Sequence, residues 1–192
     1  MVATHSNDIK LGTPAPGFAL PDAAGKVHRL EDFAGKPALL VAFICNHCPF
    51  VKHIRREFAA FARDYAPKGL AVVAINSNDE KEYPEDSLAK MGEEAKTQGY
   101  IFPYVQDKTQ DVAKAYMAAC TPDFFLFDSK RKLFYHGRFD ASSPGNNQPV
   151  TGADLRAAVD RLLKGETPPP KQILSIGCSI KWRRGQEPPW FG

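Results

Sequence analysis

Ala38-Leu-Leu-Val-Ala-Phe-Ile-Cys45-Asn-His-Cys48-Pro-Phe50 is the stretch on which the fold turns. Residues 38–44 form a short, continuous apolar run with no helical periodicity, the pattern of a strand buried on both faces. Beyond Pro49, the side chains Phe50, Ile54, Phe58, Phe61 and Tyr65 recur at steps of 4, 4, 3 and 4, while Lys52, Arg55, Arg56, Arg63 and Asp64 fill the opposite face. That spacing predicts an amphipathic helix. Leu70-Ala-Val-Val-Ala-Ile75 reads as a second buried strand, so the three segments predict a right-handed βαβ unit with parallel strands.

The chain around this unit has 192 residues, 43% of them apolar and 24% charged, which suits one globular domain. A core of this size needs neither disulfides nor metal to hold it, so the four cysteines call for another reason. Lys plus Arg number 25 against 22 Asp plus Glu, a net charge of +3, too small an excess to argue for nucleic acid or an anionic membrane as partner. The start, Met1-Val-Ala-Thr-His-Ser-Asn-Asp8, lacks the basic and apolar regions of a signal peptide, and no run reaches the ~20 apolar residues of a membrane span. A cytoplasmic location is the expectation. In that reducing setting a Cys-x-x-Cys pair points to redox chemistry or metal before a structural staple.

Cys45 and Cys48 fall where a buried parallel strand gives way to a helix, the edge at which open α/β sheets place their active sites. Pro49 suits the first helical turn, which puts Cys48 near the N-cap. A thiolate there faces unpaired N–H groups and the positive end of the helix dipole, and both lower its pKa. His47 and Lys52 add positive charge nearby. Two plainer readings compete: both cysteines as inert small hydrophobes, or a Cys₄ zinc site from Cys45, Cys48, Cys120 and Cys178, which lacks the second close pair such sites normally have.

Downstream, Asn76-Ser-Asn-Asp79 follows the second strand and reads as a helix-capping loop, with substrate contact as the alternative. A helix is expected from Pro84 to about Thr97 with Gly99 as its stop, then a strand over 101–105 and a helix from Thr109 to about Met117. Asp123–Asp128 and Leu133–His136 predict an antiparallel hairpin, and Thr151–Lys164 a last helix. Past the stiff Pro168-Pro-Pro170, residues Leu174, Ile176, Cys178, Ile180 and Trp182 alternate with mostly small or polar ones, a strand pattern that puts Cys178 on its apolar side. The spacer is long enough for Cys178 to reach the Cys45–Cys48 site. Lys181, Arg183 and Arg184 with Trp182 and Trp190 read as a tail docked on the chain's own surface. Arg138 reads as a solvated strand end.

These residues resemble the thioredoxin-fold superfamily, specifically its peroxiredoxin-like branch, the alkyl hydroperoxide reductase and thiol-specific antioxidant group. The resemblance covers about residues 10–165. It rests on Gly12-Thr-Pro-Ala-Pro-Gly-Phe18, Leu20-Pro-Asp22, Gly25-Lys26, Leu30-Glu-Asp-Phe33 and Gly35-Lys36, which look like that branch's N-terminal β extension, together with Cys45-Asn-His-Cys48. Thr121-Pro122 resembles the family's cis-proline loop, which lies against the cysteine pair and holds substrate backbone. If it does so here, Cys120 should lie near the pair, as a second resolving thiol or a buried strand-end residue. Departures are informative. Compared with peroxiredoxins, Cys45 stands in the threonine place and Val41 in the proline place, so the peroxide pocket is incomplete, and Arg138, otherwise a solvated strand end, is the alternative substitute for that family's arginine. Compared with thioredoxins, Ile44 replaces the tryptophan, Asn46-His47 the Gly-Pro, and Leu39 the buried acid, so another proton acceptor is needed. A histidine at the place of His47 stabilises the thiolate in disulfide isomerases and strong thiol oxidants. That comparison implies a reduction potential less negative than the roughly −270 mV of thioredoxin.

The resulting expectation is a single α/β domain over 1–192 of thioredoxin-like fold: a central mixed β-sheet with helices on both faces, an N-terminal β extension and a C-terminal arm over about 166–192. The leading function is thiol–disulfide oxidoreduction by Cys45 and Cys48, with Cys45 attacking and Cys48 resolving. His47, Thr121, Pro122 and Cys120 support or bind substrate, and Cys178 is an auxiliary thiol. The alternatives are a thiol peroxidase with Cys48 as its peroxidatic cysteine, or a non-enzymatic redox- or metal-responsive binding protein. Expected partners are a protein or small-molecule disulfide or a hydroperoxide, and an electron-donating thiol system. No cofactor beyond the cysteine pair and no metal are expected.

Overall fold

The computed structural model describes residues 3–191, so Met1, Val2 and Gly192 of the expected domain lie outside the described residues. In chain order the strands and helices are β1 (Ala3–His5), β2 (Ala19–Pro21), β3 (Val27–Arg29), β4 (Ala38–Phe43), α1 (Pro49–Tyr65), β5 (Leu70–Asn76), α2 (Leu88–Gln98), β6 (Tyr104–Gln106), α3 (Asp111–Ala115), β7 (Cys120–Thr121), β8 (Asp123–Phe127), β9 (Leu133–Gly137), α4 (Ala153–Leu163) and β10 (Ile176–Ser179).

The main sheet has the order β6-β5-β4-β8-β9. β4 runs parallel to β5 from Ala38 opposite Leu70 to Phe43 opposite Ile75, and β5 runs parallel to β6. β8 lies antiparallel to both β4 and β9, so the sheet is mixed. Every residue of β4 is fully buried because the strand is covered twice. Ala38, Leu40, Ala42 and Ile44 point to one layer with Ile54, Phe58 and Phe61 of α1, Met91 of α2 and Leu155 and Val159 of α4. Leu39, Val41 and Phe43 point to the other, with Phe18, Phe33, Ala113 of α3 and Trp182. Period-2 alternation along one apolar strand therefore feeds two cores. Among the described residues no helix is long and apolar enough to cross a membrane.

Two segments differ from their sequence reading. The helix expected from Pro84 is split: Pro84–Asp86 forms a 3-10 turn, Ser87 is extended at φ −62° and ψ 152°, and α2 starts at Leu88. The break turns Asp86 inward, fully buried. The strand expected over 101–105 begins at Tyr104, with Ile101 exposed, because Pro103 has no N–H to give a ladder. α2 ends as expected at Gly99, in the left-handed region at φ 64°.

The C-terminal arm is part of the fold. β10 inserts between β1 and β7, with Cys178 opposite Ala3 on one side and Thr121 on the other. Further bonds fix its ends: Ile180 N–H to Ala119 O at 3.1 Å, Asp79 N–H to Lys181 O at 2.9 Å, and Lys181 N–H to Asn78 Oδ1 at 2.8 Å. Trp182 is buried, in line with a tail docked on the chain's own surface. Gly177 permits the approach, since a Cβ there would lie 2.0 Å from Thr121 O.

Overpacking at such a point costs roughly 1–3 kcal/mol. Gly177→Ala is therefore expected to lift β10 and leave the βαβ core folded. Hydrogen exchange should accelerate at the amides of 176–182 while those of β4 and β5 stay protected. Unchanged protection of the arm would contradict this account of its docking.

Candidate active site

β4 ends and α1 begins across Cys45-Asn-His-Cys48, so the buried strand and the helix together fix both sulfurs. Cys48 is the N-cap of α1, extended at φ −63° and ψ 126°, and Pro49 occupies the first turn. All four cysteines are buried thiols, with Cys45 2% and Cys48 0% exposed. The Thr121–Pro122 peptide is cis, and Thr121 lies against the pair. The Cys45 Sγ lies 3.3 Å from Thr121 Oγ1, and the Cys48 Sγ lies 3.2 Å from Thr121 O.

The two sulfurs differ in charge preference. The Cys45 thiol donates to Cys48, and against the cost of burial the Cys178 thiol and the backbone amides of Val51 and Cys178 also favour a negative Cys48. Together they lower the Cys48 pKa to about 5. Burial pushes Cys45 the other way, well above the ordinary thiol value, with Cys48 and Asp86 as negative neighbours. These directions put the lower pKa on Cys48, the sulfur expected to resolve, rather than on Cys45, the sulfur expected to attack. The hydrogen bond from Cys45, ahead of the α1 N-terminus, favours charge on Cys48, while burial, then Cys48 and a nearby carboxylate disfavour it on Cys45.

That carboxylate is Asp86. Its Oδ1 accepts from the Asn46 amide at 2.7 Å and from Asn76 Nδ2 at 3.1 Å, and its Oδ2 from Asn78 Nδ2 at 2.8 Å and His47 Nδ1 at 2.5 Å. Burial opposes its charge, but the bonds from His47, Asn78 and Asn46 outweigh that and hold its pKa below the ordinary carboxylate value. His47 also stacks on Tyr83, with ring centroids 4.9 Å apart. It is a fixed half of a His–Asp dyad, not a free loop residue. Ligand atoms of Cys45, His47 and Asp86 lie within 4.8 Å of one another, close enough to hold a soft divalent ion. Four N–H donors already occupy the Asp86 oxygens, so the cluster reads first as a dyad beside a thiol.

The other expected residues separate. Cys178 comes to the pair through β10, and burial together with the neighbouring Cys48 pushes its pKa up to about 12. Cys120 is next to Thr121 in β7 but turns away, its Sγ 3.8 Å from Ser6 Oγ and 3.7 Å from Pro122 O. Ser6 in turn donates to Asp123 Oδ1 at 2.7 Å. That removes Cys120 from a shared four-sulfur cluster. Lys52 is exposed, and Arg138 binds Asp154 at 2.6 Å. Asn76-Ser-Asn-Asp79 is neither a simple cap nor a substrate loop: Asn76 and Asn78 hold Asp86, while Asn78 and Asp79 hold the arm. Sequence reasoning missed Asp86, whose Pro-Glu-Asp setting carries only a helix-start signal, and Tyr104, which donates to Asn46 Oδ1 at 3.0 Å.

The lowered Cys48 pKa has a consequence for stability. An unfolded thiol titrates near 8.5, so the contribution of the Cys48 thiolate is full above about pH 8.5, declines as pH falls, and is gone below about 5. The Tm advantage of reduced protein over reduced Cys48→Ser should shrink across that window and be flat below it. A difference independent of pH would contradict a thiolate at Cys48.

A family model described as the AhpC/TSA family matches residues 11–136. Thiol-disulfide oxidoreductase ResA of Geobacillus kaustophilus (strain HTA426) is 26% identical over 167 residues, covering 86% of this chain and 83% of that protein. The crystal structure of the hypothetical protein SMc02350 from Sinorhizobium meliloti 1021 is 60% identical with a TM-score of 0.94, covering 95% of this chain and all of that one. That of peroxidoxin BcpB from Mycobacterium tuberculosis is 19% identical with a TM-score of 0.62, covering 82% and 98%, a likeness of fold.

Proposed function

The chain belongs to the AhpC/TSA family and is an oxidoreductase of thioredoxin-like fold, and from that premise we propose that it exchanges disulfides through Cys48 and Cys45, Cys48 attacking and Cys45 resolving. The observation that carries this reading is the unequal pair: an N-cap sulfur with a pKa of about 5 that receives the thiol proton of its neighbour. Thiol–disulfide exchange needs a thiolate to attack and a stable thiolate to leave, and Cys48 meets both needs.

In the first step Cys48, fully buried at rest, is uncovered and its thiolate attacks one sulfur of a substrate disulfide. A Cys48–substrate bond forms, the substrate S–S bond breaks, and the other substrate half leaves as a thiolate. In the second step Cys45 gives up its proton and attacks Cys48, forming the Cys45–Cys48 disulfide and releasing the remaining half. Cys45 is the harder sulfur to ionise, and the His47–Asp86 dyad beside it is the proton acceptor. Asp86 thus does what a buried acid at Leu39 would have done. No cofactor enters, and an external thiol donor reduces the pair again. Substrates are protein or small-molecule disulfides, and a cleft of about 210 Å³ beside Pro122, lined by Phe50, Phe139 and Ile176 together with Arg138 and Asp140, is the place for a substrate side chain. Peroxide reduction would use the same Cys48 thiolate, but the salt bridge from Arg138 to Asp154 leaves that arginine committed elsewhere.

The two activities separate in one assay set. Wild-type protein is expected to reduce insulin disulfides, Cys48→Ser to lose the activity, and Cys45→Ser combined with Cys178→Ser to accumulate a mixed disulfide. Asp86→Asn should slow the second step about 10²-fold, the scale of general-base catalysis, with mixed-disulfide formation unchanged. Rapid oxidation by hydroperoxide with no insulin turnover would favour the peroxidase instead. A stabilised Cys48 thiolate also favours the reduced form, so a glutathione titration should give a potential less negative than about −270 mV. A value at or below that figure would contradict the thiolate assignment.

A further inference from the structure

Cys178 lies outside the two-sulfur cycle, yet its place is built with care. β10 is bonded along β7, and Cys178 is the register partner of Thr121, whose carbonyl oxygen is 3.2 Å from Cys48 Sγ. Its thiol and its amide both face Cys48. Gly177 is what lets the strand come this close, since any side chain would strike Thr121 O. Bonds from Asn78, Asp79 and Gln110 to the backbone of Lys181 and Arg183 then clamp the segment immediately after it. The effect is that Cys48, fully buried, has two protein sulfurs as neighbours: Cys45 from its own turn and Cys178 from the arm.

We propose that Cys178 is a third redox sulfur, which takes Cys48 over from Cys45 by internal thiol–disulfide exchange. The inference rests on the Cys45–Cys48 pair being redox-active, as set out above. Starting from the Cys45–Cys48 disulfide, the Cys178 thiol loses its proton and attacks Cys48 Sγ. The Cys48–Cys178 bond forms, the Cys45–Cys48 bond breaks, and Cys45 leaves as a thiolate that takes up a proton. Two electrons move within the three sulfurs, and no external oxidant or reductant is consumed. The disulfide is then carried on the arm, and Cys45 is a thiol again beside the His47–Asp86 dyad. Cys120, equally buried and close in sequence to Thr121, makes its sulfur contacts to Ser6 and Pro122 O instead.

The test is peptide mapping by mass spectrometry of full-length protein oxidised with diamide and quenched with alkylating agent in acid. Wild type should yield both Cys45–Cys48 and Cys48–Cys178 linkages. In Cys45→Ser the Cys48–Cys178 linkage should be the main intramolecular product, at least tenfold above any linkage to Cys120, and Cys120→Ser should leave the wild-type pattern unchanged. Cys178→Ser should form Cys45–Cys48 alone. Folding of each variant is read by circular dichroism, and in folded wild type Cys178 should lose alkylation on oxidation. Folded Cys45→Ser protein with Cys178 fully alkylatable after oxidation would overturn the proposal. Absence of Cys45–Cys48 in folded Cys178→Ser would instead overturn the underlying pair, so the two failures are distinct.

Discussion

A negative charge on one sulfur at the mouth of a helix is the condition on which the rest of this molecule depends. Cys48 caps α1, receives the Cys45 thiol, and lies against the Cys178 thiol and the amides of Val51 and Cys178, which together outweigh the cost of burying the charge. Each of those groups comes from a different commitment of the chain. β4 and α1 fix Cys45 and Val51, β7 sets Thr121 against the pair, and β7 then carries β10. Thr121 is the meeting point, touching Cys45 through its hydroxyl and Cys48 through its carbonyl while pairing with Cys178.

The second constraint is the separation of charge between neighbours. A thiolate and a carboxylate in one dry pocket repel, and the fold keeps Asp86 on the Cys45 side of the pair. Asn76, Asn78, His47 and the Asn46 amide neutralise its field locally, which lets it stay ionised where burial alone would protonate it. The same asparagines reach the arm through Lys181, so the acid that serves Cys45 and the strand that serves Cys48 share one scaffold.

Much of the fold was legible because β4, α1 and β5 have strong and different periodicities, and a buried parallel strand followed by an amphipathic helix admits few topologies. The cysteine pair at their junction was legible for the same reason. The assignment of charge was not: spacing shows that Cys48 caps a helix, but which of two neighbouring sulfurs keeps the proton depends on Asp86 and Cys178, 38 and 130 residues further along the chain than Cys48. Asp86 was hidden because Pro-Glu-Asp is an ordinary helix start, and here the helix begins after it. Alternation in the tail gave Cys178 an inward direction but no partner, and the partner is set by a glycine whose missing Cβ matters only once Thr121 O is 2.0 Å from where it would be.

The most direct measurement of the central claim is carbon NMR of reduced protein labelled at cysteine Cβ, followed from pH 4 to 10, since each Cβ shift reports ionisation of its own sulfur. The Cys48 resonance should titrate with a midpoint near 5 while those of Cys45, Cys120 and Cys178 stay in the thiol form through neutrality. A Cys45 resonance that titrates first, with Cys48 still protonated at pH 7, would contradict the account.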